Sequence, residues 1–129
     1  MTKIYTHYFE QFVFKFSLGD AARSKTPEWS KVDPFPPLPP RKSIEESRRL
    51  LEKMLGKFES GMEPEFSACT LRPFDYMTDG HWFYEVSWAV WPRDWVGDRS
   101  VISVPVLMNG ESPSFEVFKY EDRHLAYGS

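Results

Sequence analysis

The sequence lacks several features that would place it in a specialised class of proteins. Cys69 is its single cysteine, so no internal disulfide can form. One thiol fits a reducing compartment, and we therefore expect a cytoplasmic location. No run of about 18 apolar residues occurs, so no membrane-spanning helix is predicted. Lys3, His7, Glu10 and Lys15 interrupt the apolar residues near the start, so no signal peptide is predicted.

Basic clusters and recognised chemical motifs are also missing from the sequence. The formal net charge is −3, and lysines and arginines are not concentrated in any one stretch. Nucleic-acid binding needs a basic surface, so nucleic acid is not a predicted partner. The acidic residues are scattered, and no catalytic, cofactor or metal motif stands out. We therefore predict neither a cofactor nor a metal.

Aromatic residues and prolines are what the sequence has in quantity. Eleven Phe, six Tyr and five Trp can build a large core from a modest chain. The length of 129 residues fits a single domain, residues 1–129. Its predicted parts are an N-terminal strand in residues 1–18, a proline-rich strap in residues 19–42, a helix in residues 43–60 and antiparallel strands in residues 65–120.

The N-terminal strand and the strap follow from residue pattern. Apolar and polar residues alternate over residues 11–18, which predicts a strand that residues 4–9 extend. The strap contains six prolines, which remove amide donors, so we predict that it holds neither a helix nor a central strand. Residues 36–40 are predicted to form a short polyproline II rod. The strap is expected to be pinned to the surface by Trp29, Phe35 and Leu38.

The helix is the most clearly marked element of the sequence. Ser43 is predicted as its N-cap, with Glu46 completing a capping box. Gly56 or Gly61 is expected to end it. Apolar residues at helical spacing predict a buried stripe, formed by Ile44, Leu51, Leu55 and Phe58.

Alternating patterns predict three or four further strands. They occupy residues 66–74, 81–91 and 101–108, with a short last strand in residues 115–120 and a frayed tail after it. In the second of these, one face consists of Trp82, Tyr84, Val86, Trp88 and Val90. Asn109-Gly110 predicts a hairpin turn. The fold class is therefore α+β, with one amphipathic helix packed on a four- to five-stranded antiparallel sheet.

Three segments carry a resemblance to known domains. They are Pro36-Pro37-Leu38-Pro39-Pro40-Arg41 before the helix, Trp82-Phe83-Tyr84-Glu85-Val86, and Val104-Pro105-Val106-Leu107-Met108-Asn109-Gly110. Across residues 34–113 the chain resembles small uncharacterised bacterial domains of cystatin-like and PepSY-like shape. The resemblance implies the strand order β-α-β-β-β. The Gln-x-Val-x-Gly segment with which cystatins inhibit papain-like proteases is missing from the sequence.

Candidate catalytic residues do not assemble into a known constellation. A hairpin that turns at Asp79-Gly80 would place Cys69 opposite Val86, about 16 Å from His81, which is too far for a nucleophile and its base. Asp75, Asp79 and His81 match no metal-ligand spacing, and turn residues explain them better.

Three glutamates are the remaining candidates for acid–base chemistry. Glu85 interrupts an aromatic strand and could act with Glu111 and Glu116 in acid–base work. The face of Glu85 also carries Ser87, so we interpret it as the solvated side of the sheet. Cys69 is expected to be an unreactive core thiol.

A surface for another protein is the predicted functional feature. The segment from Pro36 to Arg41 fits the PxxPx-plus pattern of polyproline ligands, or it is a stiff strap that leads into the helix. Tryptophans flank a loop after the second long strand, where exposed aromatics could anchor a partner. The predicted interaction residues are Trp29, Pro36, Pro39, Arg41, Trp91, Arg93 and Trp95.

Two classes of function follow from these observations. The first is a non-enzymatic protein-binding domain, for example an inhibitor or an immunity-type protein. The alternative is a small-ligand-binding or enzymatic domain with a pocket between helix and sheet. A deep cavity lined by Glu85, Cys69 or a histidine would favour the alternative.

Overall fold

The fold is α+β, as predicted. The computed structural model describes residues 3–9, 12–30, 32–56, 63–74, 80–91 and 99–127. Its elements are β1 (Lys3–Phe9), β2 (Phe12–Leu18), α1 (Asp20–Lys25), α2 (Pro40–Leu55), β3 (Glu65–Pro73), β4 (Trp82–Val90), β5 (Ser100–Leu107), β6 (Phe115–Lys119) and a C-terminal 3-10 helix (Tyr120–Tyr127). Within these ranges, no helix has the length and apolar character needed to cross a bilayer.

The described strands form two antiparallel sheets. Sheet A has the order β1-β2-β6, and sheet B has the order β3-β4-β5. One sheet of four or five strands with a cystatin-like order is therefore not confirmed. The strand predicted over residues 11–18 is confirmed as β2, but residues 4–9 do not extend it, because they belong to β1, which pairs with β2 as a hairpin. Both strands share a period of two, and that period cannot distinguish one long strand from two paired ones.

Strand β6 pairs with β2 and not with β5. The chain does turn where Asn109-Gly110 predicted it: the Gly110 amide donates to the Leu107 carbonyl at 2.9 Å, and Gly110 has a φ of +89°. However, Phe115 lies opposite Phe16 in sheet A, with 5.9 Å between ring centroids. The turn signal was correct about the reversal of the chain, and the pairing inferred from it was wrong.

Helix α2 begins earlier than predicted. Its first residue is Pro40, whose fixed φ and missing amide suit the first position of a helix. The capping box was wrong, because Ser43 lies inside the helix and donates its hydroxyl to the Pro40 carbonyl at 2.6 Å. Gly56, with a φ of +68°, ends the helix as expected. Residues 57–60, including Phe58, lie outside the described residues.

The core joins α2 to sheet B and to the inner face of sheet A. Leu51 is completely buried, whereas Ile44 and Leu55 are only half-buried. The Trp88 indole donates to the Ser47 hydroxyl at 2.9 Å and links helix and sheet. The predicted face of β4 is confirmed, since four of its members belong to the buried core: Tyr84, Val86, Trp88 and Val90.

Two segments are more regular than predicted. The strap contains the helix α1, because its first proline is Pro27 and nothing prevents a helix before it. The C-terminal tail is not frayed throughout. Its 3-10 helix buries Ala126, and the Tyr127 hydroxyl contacts the Tyr8 hydroxyl at 2.5 Å.

Candidate interaction surface

Trp29 has a structural role at one end of the exposed part of the strap. Its ring packs edge-on against Trp82, with 5.8 Å between centroids. Its backbone amide donates to the Gly80 carbonyl at 2.8 Å, and its indole donates to the Asp33 carbonyl at 3.0 Å. Trp29 therefore fixes the strap to the start of β4, as predicted.

Leu38 holds the other end of the strap. Its half-buried side chain packs against the core, and its carbonyl accepts a hydrogen bond from the Tyr84 hydroxyl at 2.6 Å. Between the two attachment points, Val32 is 87% exposed and Phe35 is 78% exposed. Phe35 was expected to pin the strap and does not. The strap is attached through Trp29 and Leu38.

The remaining predicted interaction residues are distributed over several elements. Pro36 is half-buried and Pro39 is exposed, with the polyproline angles φ −64° and ψ 145°. Arg41 is exposed but lies in the first turn of α2, so the polyproline conformation ends at Pro39. Trp91 is half-buried, and Arg93 and Trp95 lie outside the described residues.

A groove runs between α2 and β3, and the sequence did not reveal it. Its volume is about 660 Å³. The floor is formed by Phe66 and Trp88, which lie opposite each other in the ladder of β3 and β4 and whose rings meet edge-to-face at 5.7 Å. The groove is lined by Pro40, Arg41, Ile44, Glu45, Arg48, Pro64, Phe66 and Trp88. Of the predicted interaction residues that the structure describes, Arg41 alone lines it.

Strand β3 forms one edge of sheet B beside this groove. Its neighbour on one side is β4, and no described strand pairs with its other side. Six of its nine residues are exposed, among them Phe66 at 44%. A bulge interrupts the register between Phe66 and Ala68, so Ser67 has no partner in β4. An edge strand presents backbone amide and carbonyl groups that another strand can bind.

The charges along the groove differ between its two ends. Within the described part of the chain, the Arg41 guanidinium makes no ion pair, whereas Lys42 lies 3.9 Å from Glu45. At the other end, Arg48 contacts Glu52 at 3.0 Å and Glu63 at 2.9 Å. These hydrogen bonds raise the pKa of Arg48. At the Arg41 end, a positive charge therefore remains that no described carboxylate pairs with.

The opposite face of sheet B carries a polar cluster, which was predicted to be a solvated face. Arg72 donates to Glu85, whose side chain is only 15% exposed. Strand β1 packs over this face, with Tyr5 edge-on to Phe83 at 6.4 Å. Burial first, and then the charge of Glu85, raises the pKa of Tyr5 to about 12, although Arg72 opposes the shift. The solvated interpretation of Glu85 was wrong because β1 covers it.

The three candidate carboxylates are not brought together. Glu85 pairs with Arg72 in sheet B, and Glu116 lies opposite Lys15 in sheet A. Glu111 contacts Asn109 in the turn after β5. Each lies in a different element, so the arrangement does not provide a carboxylate pair for acid–base catalysis.

Cys69 lies opposite Val86, as the hairpin geometry predicted. Its sulfur is 3.4 Å from the Ser43 hydroxyl, under α2. His81 is at the other end of the ladder, where its carbonyl accepts from the Phe74 amide. Asp75 and Asp79 lie outside the described residues, and the described ones contain no group of three potential metal ligands.

Comparisons of the chain with protein-family models, with curated proteins and with solved structures found no match.

Proposed function

We propose that the protein is a non-enzymatic binding domain for another protein, which docks in the groove between α2 and β3. The observation that carries the proposal is the outer edge of β3, which no described strand covers, beside a groove with an aromatic floor. Exposed aromatic side chains in a concave site are typical anchors for a partner. Phe66 offers such an anchor, because almost half of its surface is exposed in the free protein.

The polar groups of the groove favour a protein partner over a small molecule. Small-ligand sites place a few buried polar groups so that they converge on the ligand. Here the charged lining residues are exposed or half-buried along the rim: Arg41, Glu45 and Arg48. A rim of this kind with an apolar floor has the anatomy of a protein interface.

The alternative function, with a pocket between helix and sheet, has less support. Leu51 of α2 and Val86 and Trp88 of β4 are at most 2% exposed. These side chains fill the space between the middle of α2 and β4, so the groove opens only beside β3. The alternative requires a cavity lined by Glu85, Cys69 or a histidine. The described lining of the groove contains none of these residues.

Inhibition of a partner, or immunity against it, is the specific form of binding that we propose. The proposal rests on the binding groove and on the absence of a catalytic constellation among the described residues. The net charge of −3 favours the solubility of such a domain.

Selection of peptides from a random displayed library tests the proposal, with the Phe66→Ala protein as the comparison. We expect the best peptides to bind the native protein at least tenfold more tightly than the Phe66→Ala variant in calorimetric titrations. Phe35→Ala is the control, since it removes a phenylalanine outside the groove that is even more exposed than Phe66, 78% against 44%. Equal losses in both variants, or no selected peptide, would contradict the proposal.

A further inference from the structure

We infer that the partner presents an extended segment that adds to β3 as a fourth strand of sheet B. The segment carries an acidic side chain for Arg41 and an apolar side chain for the floor of Phe66 and Trp88. This inference rests on the proposed function and specifies the partner's chemistry. Its support comes from the free backbone edge, the spacing along the groove and the distribution of charge.

The backbone edge suits an added strand over a limited length. Strand addition satisfies the outward amide and carbonyl groups of an edge, and alternate side chains of the new strand then face each side of the sheet. The bulge at Ser67 interrupts regular pairing, so the continuous edge runs from Ala68 to Arg72. A short segment that pairs there and continues past Phe66 enters the groove.

The direction of α2 relative to β3 sets the order of the contacts. Ser43 lies next to Cys69, whereas Ser47 bonds Trp88, which lies opposite Phe66. The helix therefore runs antiparallel to β3. Arg41 belongs to the end of the groove near the regular edge, before the aromatic floor.

The spacing of side chains on α2 matches that of a strand. Four residues of helix, from Arg41 to Glu45, rise about 6 Å. Residues two apart on a strand, which share a face, are about 6.6 Å apart. If an acidic residue of the partner segment lies beside Arg41, the residue two positions along that segment therefore lies over Ile44 and the Phe66 ring. The expected pattern is an acidic and an apolar residue separated by one residue.

Charge complementarity fixes the orientation of the segment. The Arg41 end has a guanidinium without an ionic partner among the described residues. At the floor end, the guanidinium of Arg48 is already bound by the carboxylates of Glu52 and Glu63. A negative side chain is attracted by Arg41 at the first end, whereas the cation at the second end already has two carboxylate partners. The acidic residue of the partner should therefore lie only at the Arg41 end.

Sequencing of the selected peptides and titration of their modified forms test the inference. We expect enrichment of Asp or Glu two positions from an aromatic or aliphatic residue. The Arg41→Glu variant should select Lys or Arg at that position, whereas Arg99→Glu, an equal charge change outside the groove, should select the original pattern. N-methylation of successive peptide amides should weaken binding at least tenfold at every second position.

The outcomes separate this inference from the proposed function. If peptide binding depends on Phe66 but the loss of affinity on N-methylation does not alternate along the peptide, the binding function stands and strand addition is overturned. Peptides whose charge preference ignores Arg41→Glu would overturn the acidic specificity. If no peptide is selected and the protein instead sediments as a dimer that Thr70→Pro dissociates, the edge binds a second copy and the inference is wrong. With neither peptide binding nor dimerisation, both proposals fail.

Discussion

The His7 imidazole lies 2.9 Å from the Ser103 carbonyl and joins sheet A to sheet B. Ser103 is itself held by Ser87, whose hydroxyl is 2.9 Å from its own. The ion pair of Glu85 with Arg72 lies on the side of sheet B that β1 covers. The Tyr5 ring of β1 packs against the same side. Burial lowers the pKa of His7 from its usual 6.5, although the bond to Ser103 and the charge of Glu85 oppose this shift.

The lowered pKa of His7 predicts a loss of stability in mild acid. As the pH falls below about 6.5, the unfolded chain binds a proton at this imidazole before the folded protein does. The free energy of unfolding should therefore decrease from there down to the lower pKa of the folded state. Urea unfolding at a series of pH values measures it. His7→Gln should flatten this part of the profile, whereas the exposed His124→Gln should not; identical profiles for both would refute the prediction.

Leu51 tests the packing of α2 on sheet B. It is completely buried in the core, so Leu51→Ala should lower the free energy of unfolding by about 2–5 kcal/mol. Leu125→Ala is the matched control, since Leu125 is 52% exposed and its truncation should cost about 0.5 kcal/mol or less. A similar, small loss in both variants in chemical unfolding would show that α2 does not pack as described.

The attachment of the strap can be tested at Tyr84. Its hydroxyl donates to the Leu38 carbonyl, and Tyr84→Phe should cost about 1 kcal/mol. Amide hydrogen exchange around Leu38 should accelerate, while that in sheet A should stay unchanged. Tyr120→Phe, which alters an exposed tyrosine, should have neither effect. Unchanged exchange in Tyr84→Phe would mean that the strap is held by other contacts.

The unreactive thiol remains a prediction that labelling can check. Cys69 is half-buried against Ser43, and burial under α2 restricts access of a reagent to its sulfur. A disulfide reagent should label the native protein at least tenfold more slowly than the urea-unfolded chain. Labelling at equal rates would place the sulfur in open contact with solvent.

Sequence patterns predicted the elements well and their partners poorly. The apolar spacing around Leu51 and the alternation of β4 depend on nearby residues. The alternation is confirmed, and the helical stripe is confirmed for Leu51, whereas Ile44 and Leu55 are only half-buried. The spacing of Ser43 and Glu46 is also a local pattern, and it wrongly predicted a capping box. The sequence could not indicate that Ser43 faces Cys69 and is buried within the helix.

The groove depends on contacts that no local pattern contains. Phe66 contributes to it only because α2 crosses sheet B beside the edge strand β3. Arg41 entered the prediction through a polyproline pattern, and it lines the groove for a different reason, its place in the first turn of α2. Glu85 was misjudged similarly, because the strand that covers it lies far away in the sequence.

The pairing of β2 with β6 has a consequence for the order of events during synthesis. The hairpin of β1 and β2 leaves the ribosome before sheet B, whereas β6 leaves after every described strand of that sheet. Such distant pairing gives a high contact order and slows folding. The β6 side of β2, which carries Phe14 and Phe16, stays unpaired while α2 and sheet B assemble. Nascent chains in this interval expose apolar surface, and we expect chaperones to recognise them.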